Sequence, residues 1–152
     1  MFEIQRDGND ILALNVIVTC FGGGYDSGDN GQTESGVLND GSDPNLLGCA
    51  LPIRSTEAAT KGSPLACATK PHIPWGTLVR FWRADMPEST GITVKLIDNG
   101  PDVKKYPSHA GDLTVAAAAH FWPNTSRCLL PNNFEMRLNY RVIGAVPYTS
   151  LS

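Results

Sequence analysis

The sequence predicts a mainly β fold, a small barrel carrying one or two short helices. Three observations carry that prediction. The runs "GTLVRFWR" (Gly76 to Arg83), "GITVKLID" (Gly91 to Asp98) and "FEMRLNYRVIGAV" (Phe134 to Val146) alternate or cluster β-forming residues between turn formers. One segment, "TVAAAAHFW", reads as helix. No alternation of strands with helices runs along the chain, so an open α/β sheet is disfavoured.

The elements follow in order. "ILALNVIVTCF", from Ile11 to Phe21, mixes β-branched and aromatic residues over a length that requires a bend, and the glycines of "GGGYDSGDNGQ" end it in an exposed loop. Gly36 to Pro71 is rich in turn-forming residues, interrupted by "LLGCALPI", which fits a short buried strand. Long irregular stretches of this kind are commonly functional. The strands near Gly76 and Gly91 come next, then a polar loop. In the helix that follows, Thr114 is a natural N-cap, four alanines favour helix and Pro123 stops it. The last strand lies within 134–146.

At 152 residues the chain suits one domain, residues 1–152. Apolar residues make up 41%, enough for a packed core. The net charge of -3 is scattered and the only basic pair is Lys104-Lys105, so the electrostatic footprint of a nucleic-acid surface is lacking. The apolar run Ile11 to Phe21 is too short for a membrane helix. "MFEIQRDGND" does not have the pattern of a signal peptide, so the expectation is export by another route or a leader already removed. Cys20, Cys49, Cys67 and Cys128 allow two disulfides in three connectivities, or reduced buried thiols. None forms a C-x-x-C pair, so neither a thiolate zinc site nor a thioredoxin-like site is expected.

Three segments in order resemble the double-psi β-barrel superfamily, which contains expansins, family-45 glycoside hydrolases, rare lipoprotein A and the "3D" domain of lytic transglycosylase A. "VTCFGGGYDSGDNGQTESGV" resembles the expansin opening, with Thr19 and Ser35-Gly36 at its Thr and small-residue-Gly places. "HIPWGTLVRFW" is similar to the "IPLGT" or "LPFGT" element that feeds a barrel strand. "LIDNGPDVKKYPSHAGDLTVAAAAHF" is similar to the "DxG(P)...DLS" segment, whose second aspartate precedes a short helix. The likeness covers about residues 16–121 and implies a six-stranded double-psi β-barrel. One departure stands out: shortly before the Ile-Pro pair the 3D family has an aspartate and rare lipoprotein A a histidine, whereas this chain has Thr69 and Lys70. His72 is the nearby candidate to substitute.

The resemblance assigns Asp112 a catalytic acid/base role and Asp98 a supporting one, with polysaccharide, peptidoglycan first, as the partner. Glycosidic cleavage needs a carboxylic acid to protonate the leaving oxygen, and two close carboxylates favour keeping one protonated. Local rules offer plainer roles: Asp98 opening an Asx turn at "DNG" and Asp112 capping the helix. In lytic transglycosylases one acid/base suffices, because the muramic acid 6-hydroxyl is the nucleophile. An endoglucanase-like hydrolase would need a second carboxylate, for which Asp26 or Asp29 is the candidate. Expansins keep the aspartate without evident hydrolysis, so a binding module, or a virion-associated barrel meeting the wall with an assembly partner, is the non-enzyme alternative. The expected location is accordingly extracellular or periplasmic, or on a virion.

Among binding candidates, the resemblance lets Thr19 hydrogen-bond Asp112 or a sugar hydroxyl. Tyr25 in the glycine-rich loop and Trp75 are the stacking candidates, while Trp82, Trp122 and Tyr106 have core roles as the plainer reading. Phe81 and Trp82 alternate, so one of the two is expected in the core. His109 precedes Asp112 closely enough to tune its protonation, and His120 suits the last helix carbonyls. "DSGDNG" at residues 26–31 has the start of a calcium loop, but Gly28 replaces a ligand and Val37 stands where the bidentate glutamate belongs, so no metal and no cofactor are expected. Asn124 opens an "NTS" sequon.

Overall fold

The long strand that begins the barrel changes face in its middle. In the computed structural model, which describes residues 1–22, 31–54, 62–66, 72–123 and 136–149, β1 (Gln5–Asp7) and β2 (Asp10–Cys20) form an antiparallel hairpin. Along β2, Ile11 and Ala13 point into the core, then Leu14 and Asn15 are both exposed, and Val16, Val18 and Cys20 point inward. The register with its neighbour shifts between Ala13 and Val16, and Asn15 has φ 52°. An extra residue in one strand produces this switch, and asparagine tolerates the left-handed backbone better than most residues. This bulge is the bend that an eleven-residue strand was expected to need.

The remaining strands and helix among the described residues are β3 (Gly48–Leu51), β4 (Leu78–Arg83), β5 (Ile92–Asn99), β6 (His109–Leu113), α1 (Val115–Phe121) and β7 (Met136–Val142). Two 3-10 turns lie at Glu88–Thr90 and Val146–Tyr148. Six strands close into a mixed barrel in the cyclic order β2, β6, β3, β5, β4, β7, with β1 outside it. The β2–β6 and β3–β5 pairs are parallel and the other four pairs in the ring antiparallel. Closure removes the free edges that an open sheet would expose.

Tyr140, Phe81, Leu96, Leu113, Leu138 and Met136 are among the largest fully buried side chains of the barrel interior. The rings of Phe81 and Tyr140 lie 5.2 Å apart in a tilted contact. The Tyr140 hydroxyl donates to the Ala110 carbonyl at 2.9 Å, so the tyrosine satisfies its polar end while fixing β6. Trp82 is buried as well as Phe81, where one of the pair was expected to be. Gly91 explains the second: a Cβ there would lie 2.0 Å from the Phe81 carbonyl oxygen, so only glycine lets the turn close over this part of β4.

Three local expectations differ from what forms. Residues 109–113, "HAGDL", form a strand although they carry no β-branched or aromatic residue other than histidine. They sit between β2 and β3, which supply partners on both sides. Thr114 does occupy the N-cap of α1, but its side chain makes no capping bond. Its hydroxyl instead donates to the Leu46 carbonyl at 2.6 Å and accepts from the Gly48 amide at 3.1 Å, pinning the entry to β3. Finally, Cys20 is disulfide-bonded while Cys49 is a buried free thiol, so two disulfides do not form. Cys67 and Cys128 lie outside the described residues.

Candidate functional site

Register brings the two aspartates of the polar segment to one place. Ala50 on β3 is the Cα partner of Asp98 on β5 and of Asp112 on β6, and Asp112 is in turn the partner of Thr19 on β2. Asp98, Ala50, Asp112 and Thr19 thus form a row across four adjacent strands. Neighbouring strands lie about 4.8 Å apart, so the two aspartate backbones are separated by roughly 10 Å with only an alanine methyl between them. Val18 and Cys20 on either side of Thr19 face the core, so Thr19 faces outward and the row lies on the barrel wall.

The Thr19 hydroxyl donates a hydrogen bond to Asp112 Oδ1. Gly100 stands at the other carboxylate oxygen: a Cβ added there would come 3.7 Å from Asp112 Oδ2 and 4.0 Å from the Ala50 Cβ. Glycine and alanine therefore keep the surroundings of Oδ2 low. Gly100 also has φ 154°, a region that residues with a Cβ rarely adopt, and it begins a cis Gly100–Pro101 peptide.

Asp98 is placed differently. Its Oδ1 accepts from the Asn99 amide at 2.8 Å and the Glu34 amide at 3.1 Å. The Ser35 amide donates to the Ile97 carbonyl at 3.2 Å, and Arg54 pairs with Glu34 at 2.9 Å. Asp98 thereby fastens the segment around residues 33–36 to the strand carrying the row. The Asn99 side chain does the same for the chain after β3, its Oδ1 accepting from the Ile53 and Arg54 amides at 3.1 and 3.2 Å. Neither aspartate has the plain role that local rules offered. Asp98 bonds its immediate successor, with the Gly100 amide donating to Leu51, so no Asx turn forms. Asp112 lies inside β6, three residues before the first residue of α1, and does not cap it.

His109 opens β6 opposite Ile17, two residues before Thr19 on β2. Its ring stacks on Tyr106 with centroids 5.1 Å apart and planes at 10°. This places it on the same wall as Asp112, and Tyr106 is an exposed aromatic there rather than a core residue. Trp75, 39% exposed, sits on the Pro74–Thr77 turn, which bonds to β5 through the Gly76 amide and the Leu96 carbonyl, two residues before Asp98. His72 is half-buried. Tyr25, Asp26, Asp29, Thr69, Lys70 and Asn124 lie outside the described residues.

Below the row, Cys49 is buried between β5 and β6, and its thiol is pushed well above the ordinary range, first by burial and then by the negative charge of Asp112. It is a core thiol held neutral and has none of the electropositive surroundings of a reactive thiolate. His120, expected at its own helix carbonyls, approaches the Thr90 carbonyl at 3.2 Å and meets Phe121 edge-on.

Sequence reasoning missed Ala50 and Gly100, the two small residues that flank Asp112. The "DNGP" glycine was visible, but only register shows what it stands beside. Among the described residues, no helix is long and apolar enough to cross a membrane, and no group of three or more His, Cys, Asp or Glu is placed to hold a metal ion. Compared with protein-family models and with curated proteins, the chain matches none.

Proposed function

We propose that the protein is a double-psi β-barrel enzyme acting on cell-wall glycan, a peptidoglycan-cleaving lytic transglycosylase in which Asp112 is the general acid and base. The observation that carries this reading is the row Asp98, Ala50, Asp112, Thr19, with the Thr19 hydroxyl donating to Asp112. In this reading Oδ1 takes the Thr19 bond and the acid proton is on Oδ2, the oxygen beside Gly100. That proton passes to the glycosidic oxygen as the bond from the anomeric carbon breaks. The muramic acid 6-hydroxyl then adds to the anomeric carbon and returns its proton to the Asp112 carboxylate, leaving a 1,6-anhydro end. No water is consumed, and one acid/base serves both proton transfers.

In this reading Asp98 is a positioning residue, since its Oδ1 holds the 33–36 segment against the row by accepting from the Glu34 amide. Tyr106, His109 and Trp75 supply sugar-contact candidates on the wall. The Cys20 disulfide suits an oxidising location outside the cytoplasm, or a virion.

The test is incubation with purified peptidoglycan and mass spectrometry of the released sugars. Anhydro-muropeptides from the native protein, lost in Asp112→Asn, support the proposal. Non-anhydro reducing ends instead assign an endoglucanase-like hydrolysis. Binding without any released sugar assigns a non-catalytic, expansin-like or virion-associated module.

A further inference from the structure

One cavity on the barrel wall is lined by two arginines, each held by a contact of its own. It has a volume of about 590 Å³ and is bounded by Asn15, Arg83, Ala84, Asp85, Trp122 and Arg137. The Arg83 guanidinium lies over the Trp122 ring, 4.9 Å from its centroid, and its Nε donates to Asp85 at 3.3 Å. Arg137 Nη1 donates to the Asn15 carbonyl at 3.2 Å, the carbonyl of the bulge residue in β2. Each guanidinium is thus oriented by one bond, and a guanidinium has five donors in all. Both arginines line the same cavity.

We infer that this cavity is a subsite for a carboxylate carried on the glycan. The charge balance selects the kind of anion. Two arginines and one aspartate leave a net charge of +1 at the cavity, on a chain whose total is -3. A monoanion meets that charge fully, whereas a doubly charged phosphate also meets the Asp85 carboxylate. A planar carboxylate matches the parallel N–H pairs of a guanidinium, and an arginine laid on an indole ring loses little freedom when it binds.

The cavity lies along β2 from the Asp112 row. Arg137 is the register partner of Ile17, Ile17 is the partner of His109, and Thr19 is two residues further on the same face of β2. From strand geometry the Arg137 and Thr19 backbones are roughly 8 Å apart. A second cavity, of about 290 Å³, shares Asn15 and Arg137 with the first and extends to Ile17 and Ser108, next to His109. A glycan strand stripped of its stem peptides, lying along β2, would therefore place a sugar at Asp112 and the free lactyl carboxylate of a neighbouring sugar at the arginines.

The choice of a wall glycan rests on the function proposed above, so the experiment separates the two. Chemical shifts of the arginine Nε and tryptophan indole groups are followed by NMR while N-acetylmuramic acid or N-acetylglucosamine is added. The two sugars differ in the lactyl carboxylate. Supporting results are movement of the Arg83, Arg137 and Trp122 signals with the acidic sugar alone, and at least a tenfold loss of affinity in the double variant Arg83→Gln, Arg137→Gln, whose amide fold is checked by its backbone spectrum. Equal shifts with both sugars, no shift with either, or an unchanged titration in the double variant overturn the inference. So do the same shifts with inorganic phosphate alone at equal concentration. Loss of glycan cleavage with the acidic-sugar titration intact overturns the function while the subsite stands, and cleavage without the titration does the reverse.

Discussion

Thr19 and Asp112 are register partners on parallel strands, and the threonine hydroxyl donates to the aspartate carboxylate. Replacing Thr19 by valine keeps the β-branched shape and removes only the donor. Under the proposed chemistry Thr19→Val lowers product release about tenfold or more, while Asp112→Asn lowers it by roughly 10²–10⁴, the range for loss of a general acid. Thr19→Ser restores most of the rate. Identical rates for the native and Thr19→Val proteins on peptidoglycan would remove the threonine from the mechanism.

Thr114 is 1% exposed and both bonds of its hydroxyl go to the backbone at the start of β3. Thr114→Val leaves the Leu46 carbonyl and Gly48 amide without that partner. The expected cost is about 1–3 kcal/mol, the penalty for buried polar groups left unsatisfied. Urea unfolding checks it, and because helix capping is not involved, the helical circular dichroism of the folded protein stays unchanged.

Arg141 joins three separate pieces of the chain. Its Nε and Nη2 meet Glu88 at 3.0 and 3.2 Å, and its Nη1 meets Asp7 and Asp10 at 2.7 and 3.1 Å. These carboxylates hold the guanidinium proton more tightly than usual, Glu88 first and Asp7 next. Arg141→Met removes the cation that bonds all three carboxylates and is expected to cost about 2 kcal/mol in low salt. Asp7 is half-exposed, so part of that difference disappears in 1 M salt. An equal difference at both ionic strengths would assign the effect to packing.

Burial raises the thiol of Cys49 and the phenol of Tyr140 well above their ordinary values of 9.0 and 10.0. Both are acids whose neutral form is favoured in the fold. Their contribution to stability is whole below the unfolded values and is lost as pH rises towards the folded ones. The unfolding free energy therefore declines from about pH 9 upward, with each group adding a slope approaching 1.4 kcal/mol per pH unit once it ionises in the unfolded chain. Denaturant titrations at pH 7, 9 and 10.5 measure this. Cys49→Ala should flatten the first part of the decline, and iodoacetamide at pH 8 should label Cys49 only after unfolding.

The parts of the fold legible in the sequence are those where side chains advertise their own state. β2, β4, β5 and β7 carry branched or aromatic residues at alternate positions, and α1 carries four alanines before a proline. β6 was hidden because "HAGDL" has little β preference of its own; pairing with β2 and β3 on its two sides imposes the strand. That omission shifted Asp112 from a supposed helix start onto the barrel wall. The site was legible as residues and not as an arrangement. Asp98 and Asp112 could be named from their segment, but that both face Ala50, and that Thr19 faces Asp112, follows from register, which depends on bulges at Cys49/Ala50 and Ile17/Val18. The arginine cavity left no trace in the sequence at all, since Arg83 and Arg137 belong to strands that become neighbours only through a pairing of β4 with β7.

The Thr19–Asp112 pair spans 93 positions in the chain, and the row it belongs to draws one residue from each of four strands. Contacts so distant in sequence form slowly, because chain entropy is lost before they reward it. A working site would therefore certify that β6 has been laid into the ring. A chain that has zipped up β4 with β5 and with β7, yet has not laid β6 between β2 and β3, would hold every residue of the site and no site.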